Sequence, residues 1–208
     1  MLDYKNNTIA GLKYLQTLEA EKSDLIKSID ILKDTIQKLG GEKNQDSLFD
    51  FYDGFLELAA YEIDEILCVG EKPYSMFMQD EIIIELKNSG VTTIINLMQE
   101  HEFNMYDLNP LHKEFKLINI PIIDNTVPDK DILYKLINII DSSTKTYLHC
   151  NLGLGRTGVV LAFYLHEKYG FKGNGLVQRI KELKMDSKLE TKNSPITKSQ
   201  IEFVLKLF

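Results

Sequence analysis

Residues 146–169 constrain the fold more than any other stretch, because they predict a strand, a short glycine-containing loop and a helix in direct succession. The segment 146–149 contains the β-favouring residues Thr146 and Tyr147, and the five residues after Cys150 include two glycines. Residues 157–169 are largely apolar and of helical length. A strand that enters a helix through so short a loop is typical of parallel sheets covered by helices. The chain should therefore have an α/β fold.

The rest of the chain alternates in the same way. Apolar, β-branched runs predict strands at 66–70, 91–97 and 115–123, and helical spacing of apolar residues predicts helices at 76–88 and 129–140. We therefore predict a central, mostly parallel sheet flanked by helices on both faces. The lysine- and serine-rich stretch 181–199 is predicted to be an exposed loop.

Residues 7–39 predict a long amphipathic helix that ends at Gly40 and Gly41. Its apolar residues recur at steps of three and four, with Lys22 in the one polar position: Leu15, Leu18, Leu25, Ile29, Leu32, Ile36 and Leu39. This pattern suits a helix packed on its own domain, and equally a short coiled coil that forms a homo-oligomer or docks a partner helix. We divide the chain into an N-terminal helical extension, residues 1–45, and a second domain, residues 46–208.

Composition excludes several classes of protein. A net charge of −7 argues against generic binding to nucleic acid or to anionic membranes. No apolar run approaches the ~20 residues that span a bilayer, and the N-terminus lacks the apolar stretch of a secretory signal. Two cysteines, Cys68 and Cys150, cannot form a disulfide framework. We predict a cytoplasmic protein, although export by a route without a classical signal would leave no trace in the sequence.

The loop after Cys150 is suited to holding phosphate. Two glycines let a short loop curl until its backbone N–H groups point inward, and the positive end of the next helix adds to this anion site. A cysteine at the base of the loop would be favoured as the reactive thiolate. The candidate phosphate ligands are Asn151, Leu152, Gly153, Leu154, Gly155 and Arg156.

Arg156 is informative because 22 of the 24 basic residues are lysines, and Arg179 is the other arginine. A guanidinium can donate two parallel hydrogen bonds to phosphate oxygens, which a lysine cannot reproduce. A buried cysteine beside a flexible glycine turn would explain the cysteine and the glycines, but not an arginine in this position.

His149 and Cys150, five residues, Arg156 and Thr157 together resemble the signature of the protein tyrosine phosphatase superfamily. The form H-C-x-x-G-L-G-R is similar to the dual-specificity branch, in particular to the cell-cycle and kinase-associated phosphatases, and to tyrosine phosphatase domain-containing proteins. The resemblance covers about residue 66 to the C-terminus. It implies a protein tyrosine phosphatase-like fold, a phosphocysteine intermediate, and no metal or other cofactor. It also implies that His149 fixes the loop backbone and that the Thr157 hydroxyl lies near the sulfur.

Two further segments match this family. The stretch 120–128 resembles the form P-x-x-D-x-x-x-P, which implies that Asp124, 26 residues before Cys150, protonates the leaving oxygen. Asp129 and Asp131 are rivals for that role, although both have the placement of helix N-terminal residues. Near the C-terminus, Gln200 matches a glutamine that orients the hydrolytic water in some relatives. The alternative is that Gln200 is only a polar residue in the first turn of a helix.

The uncharged loop favours a phosphorylated protein as substrate, either with phosphotyrosine alone or with phosphoserine and phosphothreonine accepted too. An inositol phosphate or phosphoinositide is the alternative substrate, and a phosphate-binding scaffold without activity is the alternative function. Leu152 departs from the alanine or glycine that the family usually has. Cys68 could trap an oxidised Cys150, or could simply be packed in the core. Lysines in the predicted loop could contact an acidic substrate or could only be solvated: Lys184, Lys188, Lys192 and Lys198.

Overall fold

A computed structural model describes residues 58–74, 79–104, 106–185 and 187–207. The predicted helix at 7–39, the extension 1–45 and the predicted domain start at residue 46 lie outside these ranges. The coiled coil and the oligomer it would form therefore stay predictions.

The described residues form a five-stranded sheet. Its strands are β1 (Ala60–Glu62), β2 (Leu67–Gly70), β3 (Thr93–Asn96), β4 (Lys116–Asn119) and β5 (Thr146–His149), in the order β1-β2-β5-β3-β4. The strands β2, β5, β3 and β4 are parallel, and β1 is antiparallel to β2. The central α/β sheet predicted from the sequence is confirmed, as a mixed sheet. The strand β1 was not predicted, because three residues are too few to show an alternating pattern.

Helices cover both faces of this sheet. Within the described ranges they are α1 (Gln79–Asn88), α2 (Glu100–Phe103), α3 (Asn109–Glu114), α4 (Lys130–Asp141), α5 (Gly155–Tyr169), α6 (Asn174–Leu183) and α7 (Lys198–Leu205). Helices α4 to α7 share one core cluster with Leu67, Val69, Ile95 and Leu148 of the strands. Helices α1 and α3 share the other with Cys68, Ile94 and Tyr147. The alternation along each strand therefore divides the core into two layers.

The prediction of an exposed loop at 181–199 is wrong in part. Helix α6 extends to Leu183, and Lys184 is only 2% exposed. The Lys184 ammonium donates to the carbonyl of Leu189 at 3.2 Å and to that of Lys192, and burial lowers its pKa. Lys184 therefore holds the loop together, and it is not free to contact a substrate.

Cys68 and Cys150 lie on opposite faces of the sheet. Cys68 is in register with Tyr147 on β5, three residues before Cys150, which is about 10 Å of extended chain. The two cysteines belong to different core clusters, and both are free thiols. A disulfide requires Cα atoms within about 7 Å and side chains that face each other. Burial also raises the pKa of Cys68 to about 12. The arrangement therefore supports a packed Cys68 and not a partner for Cys150.

Candidate active site

The loop after β5 presents free backbone donors beside the Cys150 thiol. Strand β5 lies in the middle of the sheet, and its last residue is His149, so Cys150 stands at the carboxyl edge of parallel strands. No described residue accepts a hydrogen bond from the backbone N–H groups of residues 151–154. The first N–H groups of α5 have no partner within the helix either. This end of the sheet can therefore receive an anion next to Cys150.

Gly153 allows the loop to lie against the end of β2. Its φ is +70°, in the left-handed region that favours glycine. A Cβ at this position would lie 2.3 Å from the carbonyl carbon of Gly70, which is a clash with main chain. The loop can therefore take this path only with glycine at position 153.

His149 is fully buried and braces the first peptide of the loop. Its Nδ1 lies 3.1 Å from the carbonyl oxygen of Cys150, and its Nε2 lies 3.1 Å from the hydroxyl of Tyr74. A carbonyl can only accept, so Nδ1 carries the proton and donates, while Nε2 accepts from Tyr74. Burial lowers the pKa of His149 to about 3, which keeps the ring neutral. Tyr74 was not identified from the sequence, where an isolated tyrosine gives no signal.

Arg156 is buried, at 1% exposure, and is held by Glu102 on the short helix α2. Its Nη1 and Nη2 donate to the two Glu102 carboxylate oxygens at 2.7 and 2.8 Å. The Nη1 atom also donates to the carbonyl of Ile122 at 3.3 Å. Glu102 in turn accepts from the backbone N–H of Gln99 at 2.8 Å. The hydrogen bonds from Arg156 lower the pKa of Glu102, so the pair is ionised at neutral pH.

These bonds leave one edge of the Arg156 guanidinium open, in the sense that its N–H groups have no hydrogen-bond partner among the described residues, although the side chain is buried. A guanidinium has five N–H donors, and three of them are engaged by Glu102 and Ile122. The two that remain, on Nε and Nη2, lie side by side and can bind one phosphate through two oxygens. The buried Nε has no hydrogen-bond partner among the described residues, although Asp124 Oδ1 lies 3.2 Å away. The carboxylate is thus close to Nε but poorly aligned with its N–H.

The structure brings Asp124 to the site and leaves its rivals at a helix start. The side chain of Asp124 is 58% exposed, and its second oxygen accepts from the Asn125 amide at 3.1 Å. Asn125 has a φ of +62°, which marks the tight turn that carries Asp124. Asp129 precedes the first residue of α4, and Asp131 lies in the first turn of that helix. Of the three aspartates, only Asp124 has a described contact with Arg156.

Gln200 is fully buried in the first turn of α7, where its side chain has two roles. Its Oε1 accepts from the backbone N–H of Thr197 at 3.2 Å, and Thr197 in turn caps the helix. Its Nε2 donates to the carbonyl of Thr126 at 3.1 Å, two residues after Asp124. Gln200 is therefore a polar residue in the first turn of a helix, as considered from the sequence, and it also links that helix to the turn that carries Asp124.

The remaining predicted residues differ in exposure. Thr157 is fully buried, and its hydroxyl has no partner among the described residues. Asn151 is exposed, and Leu152 projects outward at 52% exposure. Leu154 is buried, and its carbonyl accepts from the Ser194 hydroxyl at 2.8 Å. Gly155 lies against Gln200, whose amide atoms are 3.4 Å from where a Cβ on Gly155 would be. The larger Leu152 therefore borders the opening and does not fill the loop.

Glu102 and Lys72 also belong to the site, and neither was identified from the sequence. The Lys72 ammonium donates to Asn151 Oδ1 at 3.1 Å, and the Lys72 backbone N–H donates to the Asn151 carbonyl at 3.1 Å. A signal for Glu102 did exist, because a buried arginine requires a carboxylate partner. The chain has 31 acidic residues, so the sequence did not identify which of them is the partner of Arg156.

Replacing Glu102 with glutamine should lower the free energy of unfolding by about 3 kcal/mol, because Arg156 is left as a buried cation without its counter-charge. Glutamine can still accept from the Gln99 N–H, so the change isolates the charge. Urea unfolding measures the effect. The matched control is Glu182→Gln, which removes an exposed ion pair with Arg179 at 3.4 Å and should change stability by less than about 1 kcal/mol. If the two changes lowered the free energy of unfolding equally, Glu102 would not be the counter-charge that stabilises buried Arg156.

Within the described ranges, no three His, Cys, Asp or Glu side chains lie close enough together to hold a metal ion. In the same ranges, no helix is both long and apolar enough to cross a bilayer.

Comparison with known proteins finds similarity over the part of the chain that contains this site. Residues 69–168 match the family model described as "Polymorphic toxin system, DSP-PTPase phosphatase". The chain is 28% identical over 102 residues to tyrosine-protein phosphatase cdc-14 of Caenorhabditis elegans. That match covers 48% of this chain and only 14% of the relative, so it spans a small part of the relative's length.

Two solved structures share the fold. The kinase-associated phosphatase has a TM-score of 0.59 and 18% identity, over 72% of this chain and 92% of that one. A structure of PTPMT1 in complex with PI(5)P has a TM-score of 0.58 and 17% identity, over 72% of this chain and 94% of that one.

Proposed function

We propose that this chain, whose residues 69–168 match the DSP-PTPase family model, belongs to the dual-specificity branch of the protein tyrosine phosphatase superfamily. We propose further that it is a metal-independent phosphoprotein phosphatase that works through a phosphocysteine intermediate. The observation that carries the proposal is the open Nε/Nη2 edge of Arg156. It lies beside the loop of Cys150 and within 3.2 Å of an exposed carboxylate that can serve as an acid.

The first step transfers the phosphoryl group to sulfur. The loop N–H groups and the open edge of Arg156 hold the phosphate oxygens above Cys150. The Cys150 thiolate forms the S–P bond as the bond between phosphorus and the substrate oxygen breaks. Asp124 gives its proton to that leaving oxygen. Bound phosphate takes over the Nε donor of Arg156 that Asp124 now approaches.

The second step returns the enzyme to its starting state. Water attacks phosphorus, the S–P bond breaks, and the Asp124 carboxylate accepts the proton of the water. The products are inorganic phosphate and the Cys150 thiolate, which the Thr157 hydroxyl can stabilise by donating to the sulfur. The link from Gln200 to Thr126 supports a further role for Gln200 in holding the Asp124 turn during both steps.

A phosphorylated protein is the substrate class that we propose, with phosphotyrosine as the first candidate. The loop itself carries no charge, which argues against inositol phosphates. However, Lys72 supplies a cation beside the loop from elsewhere in the chain. The PTPMT1 structure with PI(5)P keeps an inositol lipid as the alternative, although that similarity concerns the fold alone. An inactive phosphate-binding scaffold is less well supported, because Cys150, Arg156 and Asp124 are all present.

A cytoplasmic location is part of the same proposal. Both cysteines are free, and the mechanism requires a reduced Cys150. A homo-oligomer or a partner helix bound through residues 7–39 also stays a proposal, supported by the apolar pattern of that segment.

The test of the function is hydrolysis of aryl phosphates by the full chain without added metal. Asp124→Asn should lower kcat by about 10²- to 10⁴-fold for phenyl phosphate, whose leaving group needs a proton. The same change should cost much less with a nitrophenyl leaving group, which departs without help. Asp129→Asn is the matched control and should show neither effect.

Two results would contradict these assignments. If wild-type protein hydrolysed no aryl phosphate, the proposed activity would be wrong. If Asp129→Asn showed the leaving-group dependence and Asp124→Asn did not, the assignment of the acid would be wrong.

A further inference from the structure

Lys72 is a cation fixed beside the reactive loop, and the proposed reaction does not use it. It lies on the segment after β2, and its ammonium donates to the side chain of Asn151, the residue after Cys150. The same ammonium lies 6.0 Å from the centre of the Tyr106 ring, over which it can make a cation–π contact. Tyr106 packs on Tyr74 at 5.6 Å between ring centres, and Tyr74 holds His149. The position of Lys72 is thus set by the residues that build the loop.

The charge of Lys72 is available to a ligand. The described partners of its ammonium are a neutral amide oxygen and an aromatic ring, and no described carboxylate forms an ion pair with it. Lys72 is half-buried, and Asn151 beside it is exposed, so an anion can approach from solvent. Burial lowers the pKa of His149, and the nearby cations Arg156 and Lys72 lower it further.

The mouth of the site also has an apolar rim, formed by Leu152, Ile123 and Ile196. These side chains are 52%, 63% and 46% exposed. Leu152 belongs to the phosphate loop, and Ile123 directly precedes Asp124. Ile196 lies against Gly155, with its Cδ1 atom 3.7 Å from where a Cβ on that glycine would be. An inositol ring that carries hydroxyls and phosphates offers little apolar surface to such a rim, whereas a peptide can place apolar side chains on it.

We propose that Lys72 is a specificity-determining residue, which selects phosphoprotein segments that carry an acidic side chain next to the phosphorylated residue. The inference rests on the proposed function and extends it to the substrate. The scissile phosphate occupies the loop and Arg156, the acidic side chain meets the Lys72 ammonium, and an apolar neighbour contacts the apolar rim.

The experiment compares two phosphotyrosyl peptides that differ only in flanking residues, glutamate in one and glutamine in the other. For the wild-type full chain, kcat/KM should be about two- to fivefold higher for the glutamate peptide at low ionic strength, and the preference should decrease with added salt. Lys72→Gln should bring the ratio of the two values close to one, and Lys72→Glu should invert it. Lys72→Arg, which keeps the charge, should retain the preference.

Lys172→Gln is the matched control. Lys172 is exposed and follows the far end of α5, a 15-residue helix, so it lies about 20 Å from the loop. This variant should keep the wild-type ratio. If it lost the preference as much as Lys72→Gln does, the effect would come from net charge and the proposal would be wrong. An unchanged ratio in Lys72→Gln would also overturn it. The proposal would also be overturned if Lys72→Gln lost activity only toward an inositol phosphate substrate.

Measurements of peptide binding test the role of Lys72 independently of the proposed phosphatase activity. Affinities of the two peptides for Cys150→Ser, and for Cys150→Ser combined with Lys72→Gln, can be measured without turnover. If wild-type protein proved inactive but the glutamate peptide bound Cys150→Ser more tightly in a Lys72-dependent way, the proposed function would fail and the role of Lys72 would stand. If the glutamate peptide bound Cys150→Ser and the double variant Cys150→Ser, Lys72→Gln with equal affinity, the role of Lys72 would be wrong, and the proposed function would be unaffected.

Discussion

Cys150→Ser is expected to lower kcat for an aryl phosphate by at least about 10⁴-fold, while inorganic phosphate still binds. A serine hydroxyl is a far weaker nucleophile than a thiolate, and among the described residues no side chain has a hydrogen bond with the Cys150 sulfur. The phosphate ligands do not change, because the loop N–H groups and Arg156 do not depend on the sulfur. Steady-state kinetics measures the loss, and titration calorimetry with inorganic phosphate measures the binding.

Cys68→Ala is the matched control for this change. Cys68 lies in the core layer on the other face of the sheet, so its removal should leave kcat within about twofold, at some cost in stability. If Cys150→Ser kept substantial activity, or if Cys68→Ala abolished it, Cys150 would not be the nucleophile.

Arg156→Lys should lower kcat/KM by about 10³-fold or more, although the side chain keeps its positive charge. The guanidinium uses one edge for the Glu102 carboxylate and leaves a second edge for two phosphate oxygens. An ammonium is a point charge and cannot serve both partners with parallel hydrogen bonds. The loss should fall mainly on kcat, because these hydrogen bonds strengthen as charge develops on the phosphoryl oxygens.

Arg179→Lys makes the same substitution at the other arginine. Arg179 lies on α6 in an exposed ion pair with Glu182, so this variant should retain wild-type kinetics. Urea unfolding of both variants shows whether a kinetic loss reflects an unfolded protein. If folded Arg156→Lys kept wild-type kcat/KM, the open guanidinium edge would not be the phosphate ligand.

The fold was predictable from the sequence where local patterns were long enough to detect. Strands β2, β3, β4 and β5 and helices α1, α4 and α5 lie within or close to the predicted ranges. The elements that were missed are short or lie in polar sequence, such as β1 with three residues and α2 with four. Lys184 was misjudged for a different reason, because burial of a lysine depends on carbonyls that come close only after folding.

The strand, loop and helix around Cys150 were predictable because these parts are contiguous. Cys150, Gly153 and Arg156 lie within seven residues, and a strand, a turn and a helix N-terminus place them through local backbone geometry. The sequence by itself therefore determined the backbone of the loop after β5 and indicated the chemistry that it suits.

Only the tertiary structure decided which residues complete the site. Glu102, Tyr74 and Lys72 contact the loop across 54, 75 and 79 residues of chain, respectively. Such contacts depend on which strands become neighbours: β2 and β3 flank β5, and the segments that follow them meet at the same edge of the sheet. No local pattern encodes that meeting, because it results from packing of the whole sheet. The tertiary structure thereby gives Arg156 its counter-charge and places a cation beside a loop that is uncharged in sequence.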